Sequence, residues 1–422
     1  MKVAIIGSGG REHAICFGLQ KSKKIDRIYC IPGNGGTEKS ISENINLDIN
    51  DFEKIKNFIL NKKIDLVIVG PEAPLVDGIV DYLEDFNIKV FGPNQIASKL
   101  EGSKIFTKKL CKKFNIPTAS FGVFTNSSGA KDFLKECSFP IVIKADGLAA
   151  GKGVYICENT NQSDIAIKEI FDGKFGDAKE ILIEEFLEGE EMSFFIISDG
   201  KNFKKFGTAQ DHKRIFEGDK GKNTGGMGAY SPSRLENEEL NKKIIKKIIN
   251  PTLEGLKDYK TNFRGFLYAG LMIVKNEPYL IEYNVRMGDP ECQTIIPKVK
   301  TDLAEIFEAC VNQKLNEIDI EWYEGKSICV VLSSKGYPDD FKKGIEIKNL
   351  DKLILTENEF IFHAGTKKIG NKIFSNGGRV LNFVIRSKDL FESRKKIIEL
   401  INKINWENGY FRKDIGFKVI GT

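Results

Sequence analysis

What the chain has little of narrows it first. Among 422 residues there are three histidines and two tryptophans, and the eight cysteines are scattered with no C-x-x-C pair. So few histidines make a zinc site unexpected, and isolated cysteines read as reduced thiols of a cytoplasmic protein rather than a disulfide framework. No apolar stretch approaches the roughly 20 residues needed to span a bilayer, and the apolar run at the N-terminus is too short for a signal peptide. No membrane association is expected. One-sided charge is missing as well: 64 Lys and Arg face 59 Asp and Glu, in short basic runs such as KSKK and NKKIIKK. That leaves no long track for a nucleic-acid backbone.

What remains is an ordinary globular composition, 41% hydrophobic and 29% charged, too apolar for a disordered chain. At about 150 residues per domain the length holds roughly three. The first 103 residues alternate continuous apolar strands (VAIIG, RIYCIPG, DLVIVG, VFGP) with helical stretches, among them DFEKIKNFILNKK and LVDGIVDYLEDF. That pattern predicts a parallel sheet of βαβ units. From residue 104 to 326 the texture shifts to longer helices and strand pairs, predicting an antiparallel α+β body. There Leu240, Ile244, Ile245, Ile248 and Ile249 fall at helical spacing, with the intervening lysines on a solvated face. A small α+β unit is expected over 327–422, ending in a long helix from Leu390. The fold class is therefore α/β and α+β, multidomain.

Four constellations carry chemistry. Gly7-Ser8-Gly9-Gly10-Arg11-Glu12-His13 is a glycine turn between strand and helix. It misses the dinucleotide fingerprint because Glu12 stands where a third glycine belongs, which leaves room for a single phosphate at the helix start. Lys144 lies on the strand IVIKA ahead of a glycine loop containing Gly147, Gly151 and Gly153. A lysine beneath such a loop suits an ATP phosphate clamp, although the spacing is not that of a Walker A loop. The run Glu184-Glu185-Phe186-Leu187, followed by Glu191, pairs a strand edge that can meet adenine with a carboxylate that can hold ribose hydroxyls.

The fourth is Glu282-Tyr283-Asn284-Val285-Arg286. Alternate strand residues share a face, so a carboxylate, an amide oxygen and a guanidinium should point together. Mg²⁺ takes hard oxygen ligands and keeps water and phosphates as the rest of its shell, which Glu282 and Asn284 can supply. Arg286 can hold a carboxylate bidentately. Nearby, Asp211, Lys213 and the glycine-rich stretch with Gly225 and Gly226 suggest a closing substrate site. For each constellation the structural alternative is a tight turn, a hairpin with surface lysines, an acidic turn or a solvated stripe.

In their order along the chain these parts resemble the ATP-grasp ligases, and within them the phosphoribosylamine glycine ligase family. The runs GSGGREHA, PGNGGT, GPEAPL, LEGSK, IKADGLAAGKGV, EEFLEGEE, QDHKR, NTGGMGAYSP, YNVRMGDPE and GGRVL carry the resemblance over residues 7 to 381. It implies an ATP-grasp body with a mobile lid subdomain over about 118–188. It also implies the joining of glycine to 5-phosphoribosylamine through a glycyl phosphate, with ATP and Mg²⁺ or Mn²⁺, by a monomer. Lys104 and Lys144 would then hold ATP phosphates, Glu184 to Leu187 adenine, Glu191 ribose, and Glu282 and Asn284 the metal. Arg286, with Asp211 and Lys213, would orient glycine and its acyl phosphate; Gly9, Gly10 and the loop Gly70-Pro71-Glu72 would receive the ribose phosphate side of the amine. A biotin carboxylase type of enzyme, which activates bicarbonate, is the nearest rival, and a non-catalytic nucleotide-binding regulator is a more distant one. The chain departs from the family in carrying Lys222 where a proline usually precedes NTGGMG.

Overall fold

The computed structural model describes residues 1–148, 153–176 and 180–421. The apolar strand Lys2–Gly7 sits at the centre of a five-stranded parallel sheet, ordered Ser42–Asn44, Arg27–Pro32, Lys2–Gly7, Leu66–Val69, Val90–Phe91. Its alternate residues feed two cores, Ala4 and Ile6 on one side and Val3 and Ile5 on the other. Burial on both faces explains the unbroken apolar run. The helix expected in LVDGIVDYLEDF is two short helices, Glu72–Val76 and Ile79–Glu84. Gly78 between them sits at φ +90, a left-handed conformation that ends the first helix. The edge strand Ser42–Asn44 has no apolar residue and was not foreseeable from pattern.

Residues 118–188 contain a second sheet, antiparallel, ordered Phe121–Phe124, Ile181–Glu185, Ile141–Ala145, Val154–Cys157. Helices Ser127–Leu134 and Thr160–Phe171 cover it. Their contacts close a small core of their own around Ile143, Ile167, Ile170 and Ile183, separate from the main ones.

The largest sheet runs Glu277–Asn284, Arg264–Val274, Glu190–Asp199, Phe203–Asp211, Gly228–Ser231, Lys326–Ser334, Arg379–Ser387, Glu359–His363. Its neighbours are antiparallel throughout. The C-terminal strands thus extend the central sheet, through pairing of Gly228–Ser231 with Lys326–Ser334. Residues 238–257 form consecutive helical segments with one π-helical stretch, Ile245–Ile249. Leu240, Ile244, Ile248 and Ile249 are buried, while Lys242, Lys243 and Lys247 pair with Glu238, Glu239 and Glu277. Among the described residues no helix is long and apolar enough to cross a membrane.

Candidate active site

The strand Glu277–Asn284 ends in the alternation the sequence implies. Tyr283, Val285 and Met287 are buried, while Glu282, Asn284 and Arg286 are only partly so. Arg286 lies two residues beyond the strand's last residue, Asn284. Glu282 lies opposite Gly270 on the neighbouring strand, where a Cβ would stand 3.2 Å from its Cγ. The missing side chain makes room for the carboxylate. A cleft is lined by Glu191, Ser193, Asp211, Lys213, Tyr268 and Glu282, one polar face shared by four strands. Glu282 and Asn284 make no side-chain hydrogen bond or ion pair among the described residues. Asp211 Oδ1 is buried without a hydrogen-bond partner, and burial together with nearby Glu291 pushes its carboxyl well above the usual range.

No cluster of three His, Cys, Asp or Glu side chains able to hold a metal occurs among the described residues. Glu282 and Asn284 nevertheless fit a hard divalent cation, because both are oxygen donors left unpartnered on one face and such a cation draws the rest of its shell from water and phosphate.

Beside this face lies a lysine cluster. Lys144 Nζ stands 2.8 Å from Glu184 Oε2, and Lys108 Nζ 3.0 Å from Glu184 Oε1, with all three side chains at most 7% exposed. Burial alone would raise the Glu184 carboxyl, but Lys144 and Lys108 outweigh it and hold it low. Lys104 begins the helix Lys104–Lys113, and its Nζ donates to Gly147 O at 2.8 Å. Burial lowers its ammonium pKa and Glu282 opposes that. Lys213 Nζ meets Glu191 Oε2 at 2.7 Å, and this lysine holds the Glu191 carboxyl below its usual value.

At the glycine turn two carboxylates of the protein itself occupy part of the expected phosphate cradle. Glu12 folds back, accepting from Gly9 N at 2.6 Å and from Arg11 Nε at 2.6 Å. Arg11 N donates to Asp289 Oδ2 at 3.1 Å. Two of the donors at the helix start, Gly9 N and Arg11 N, are therefore taken by carboxylates of the protein itself, a capping arrangement. Gly70 faces the same group, where a Cβ would lie 2.0 Å from Glu12 Oε1. The third-glycine position thus holds a side chain that fills the space between two strand ends.

Arg286 is also engaged. Its Nε donates to Glu72 Oε2 at 3.1 Å, Nη2 to Glu101 Oε1 at 2.7 Å, and Nη1 to Met287 O at 3.2 Å. Arg286 holds Glu72 down to about 2, whereas burial pushes Glu101 up to about 7. Three of the five guanidinium N–H groups are spent, which leaves two for a ligand.

The glycine loop is held by the C-terminal unit. Gly225 N donates to Tyr337 Oη at 2.9 Å, and Arg379 Nη1 donates to the carbonyls of Gly225 and Asp289. Lys222, the departure from the family pattern, pairs with Asp339 at 2.8 Å and so adds a further link to that unit.

Comparison with known proteins decides the family. Models of phosphoribosylglycinamide synthetase match most of the chain: the N domain over residues 1–101, the ATP-grasp (A) domain over 102–292 and the C domain over 327–418. The chain belongs to the phosphoribosylglycinamide synthetase family. It is similar to the phosphoribosylamine--glycine ligase of Clostridium acetobutylicum, 46% identical over 99% of both chains. The enzyme of that name from Brucella melitensis is 44% identical over 100% of this chain and 98% of its own. The crystal structure of phosphoribosylamine--glycine ligase from Thermotoga maritima superposes with a TM-score of 0.81 at 34% identity, covering 99% of this chain and 100% of that one. A biotin carboxylase from Campylobacter jejuni, at 16% identity and a TM-score of 0.72 over 98% of this chain and 93% of its own, shares the fold alone.

For this synthetase family member, the structure brings Lys104, Lys144, Glu184, Glu191, Asp211, Lys213, Glu282 and Asn284 around the central sheet face. Gly151 lies outside the described residues. Glu184 differs from expectation in that its side chain, and not only its backbone, is committed to the lysine cluster. Sequence reading missed Glu101, Lys108 and Glu291. Glu291 is buried and accepts from Ser193 Oγ at 3.2 Å, so it brings a further acid to this face from a helix start. Its only signal was its place in YNVRMGDPE. His212 accepts from Gly416 N through Nε2 and is a buried structural group.

Proposed function

We propose that the chain joins glycine to 5-phosphoribosylamine at the expense of ATP, giving glycinamide ribonucleotide, ADP and phosphate. The observation that carries this reading is the pair of unpartnered oxygen donors, Glu282 and Asn284, on one strand face near Lys104 and Lys213. A carboxylate resists an amine because its charge is delocalised and it has no good leaving group. One carboxylate oxygen of glycine attacks the γ-phosphorus, the bond to ADP breaks, and glycyl phosphate forms. The amine nitrogen then attacks the acyl carbon, phosphate departs with the C–O electron pair, and the amine loses a proton. Such chemistry depends on positioning and charge neutralisation rather than on a protein nucleophile.

In this reading Lys104, Lys144 and Gly153 hold the nucleotide phosphates, and Lys108 sets Lys144 through Glu184. Glu185, Phe186 and Leu187 offer the edge for adenine, and Glu191 takes the ribose. Glu282 and Asn284 would hold Mg²⁺ or Mn²⁺, which neutralises phosphate charge. Asp211, Lys213 and the two remaining N–H groups of Arg286 orient glycine. Gly9, Gly10, Gly70, Pro71 and Glu72 border the amine substrate's side, with Gly225 and Gly226 opposite. Because Glu12 occupies the Gly9 amide, that amide is not open to the ribose phosphate. The reading takes the enzyme as a monomer of the cytoplasm.

The test is phosphate release with glycine and phosphoribosylamine supplied separately and together. Release that requires both supports the ligation. Release driven by bicarbonate without glycine would replace it with a carboxylase.

A further inference from the structure

The run LEGSK contributes more than Lys104. Glu101, in the last turn of the helix Gln95–Gly102, is nearly buried, yet its two oxygens reach out of the helix to separate targets. Oε2 accepts from Val285 N at 2.8 Å and Oε1 from Arg286 Nη2 at 2.7 Å. Two residues on, Ser103 Oγ donates to Asp146 Oδ2 at 3.0 Å and Ile105 N donates to Asp146 Oδ1 at 3.1 Å. Asp146 directly follows the strand Ile141–Ala145 that carries Lys144. A single turn of chain therefore touches the exit of the Glu277–Asn284 strand at one end and the end of the lysine strand at the other.

We propose that Glu101 is a positioning residue for the ligation, fixing Arg286 and the strand exit at Val285, while Asp146, held by the same turn, positions the lysine strand. The proposal rests on the reading of Arg286 as the group that orients glycine. Two oxygens are required because there are two donors. A glutamine at this position has one acceptor oxygen, so its amide nitrogen would face either Val285 N–H or the guanidinium, donor against donor. Arg286 then loses one of the two carboxylates that set its plane, while Glu72 still holds its Nε.

The experiment measures steady-state phosphate release with glycine varied at saturating ATP and with ATP varied at saturating glycine. Glu101→Gln should lower kcat/KM for glycine by on the order of 100-fold, the scale of a misplaced reacting group, and leave KM for ATP within about 3-fold. Asp146→Ala should do the reverse, raising KM for ATP by roughly 10-fold with a smaller change for glycine. Should Glu101→Gln not fold, Glu101→Asp, a carboxylate one methylene shorter, takes its place with the same expectation. Arg286→Ala separates the two layers of the argument. If it leaves the glycine parameters unchanged, the reading of Arg286 falls and the proposal falls with it. If it raises KM for glycine while Glu101→Gln does not, the role of Arg286 stands and the proposal for Glu101 is overturned. Equal losses for glycine and ATP in both turn variants, accompanied by a lowered Tm, would also overturn it, since that is what a purely structural turn gives.

Discussion

Two regions of the molecule carry sequence that reads as ligand chemistry, and they resolve differently. On the central sheet face, Glu282 and Asn284 stand without protein partners among the described residues. At the glycine turn, two of the donors that resemble a phosphate cradle, Gly9 N and Arg11 N, are taken up by Glu12 and Asp289. A motif gives the types of group present, but only the neighbours decide whether a group is left over. A polar side chain that reaches solvent but no protein group stays open to a ligand, whereas a capped helix end already has donors engaged.

The comparison breaks most sharply at Glu282. Glu282→Gln removes the charge of an oxygen donor that no protein group hydrogen-bonds among the described residues, so turnover should fall by about three orders of magnitude. Tm should stay near that of the parent chain, because no hydrogen bond or ion pair is lost, only the charge that supports Lys104 and Lys213. Phosphate release and a thermal melt check both halves, and a large fall in Tm would show Glu282 to be structural after all.

Next in size is Glu184, which sits with Lys108 and Lys144 in a dry cluster. Glu184→Ala leaves two buried ammonium groups without their carboxylate, a change of about 3–5 kcal/mol in stability. Denaturant unfolding should show an earlier transition, together with weakened ATP binding. A variant that unfolds like the parent would mean that the lysines find water in the native state.

The docking of the glycine-turn helix against the C-terminal unit should be sensitive to acid. His363 N donates to His13 Nδ1 at 2.8 Å, and both rings are buried. Burial, followed by the charge of Lys39, lowers His363 to about 4, and burial with His363 and Lys39 also holds His13 well below the usual imidazole value. A histidine whose folded pKa is depressed binds fewer protons folded than unfolded, so its stability contribution is present above pH 6.5 and is lost as pH falls towards 4. For His363 the difference of about 2.5 units corresponds to about 3 kcal/mol. Thermal melts from pH 7.5 to 4.5 should show a Tm decline that is shallower in His363→Gln.

Much of this was legible beforehand for a physical reason. Periodicity exposed the parallel strands around Lys2–Gly7 and the buried stripe of Leu240, Ile244 and Ile248, because those patterns are imposed by which face is dry. Alternation likewise placed Glu282, Asn284 and Arg286 on one face. What a sequence cannot carry is the identity of partners far along the chain. That Glu101 would meet Arg286, that Lys108 would share Glu184 with Lys144, and that Gly228–Ser231 would pair across the boundary at 326/327 depends on how separate elements pack. Glu12 lies between these cases. Its departure from the glycine fingerprint was visible, but its turn back onto Gly9 required Gly70 to be bare of a side chain opposite it.

That last contact supports the smallest prediction. Glu12→Gln keeps one oxygen for the Gly9 amide and loses the charge that meets Arg11 Nε, so part of the cap survives while the buried Arg11 loses its ion-pair partner. Arg11 still donates through Nη1 to Met287 O at 3.0 Å, which limits the damage to about 1–2 kcal/mol. If the helix start is closed by its own glutamate, freeing part of it should not create a dinucleotide site, because the side chain still fills the gap between strand ends. Tm should fall by a few degrees while KM for ATP stays constant and no nicotinamide binding emerges by titration. A gain of dinucleotide affinity would show that the charge of Glu12, rather than its bulk, keeps the turn closed, and the contrast between the two regions would then be one of electrostatics rather than of space.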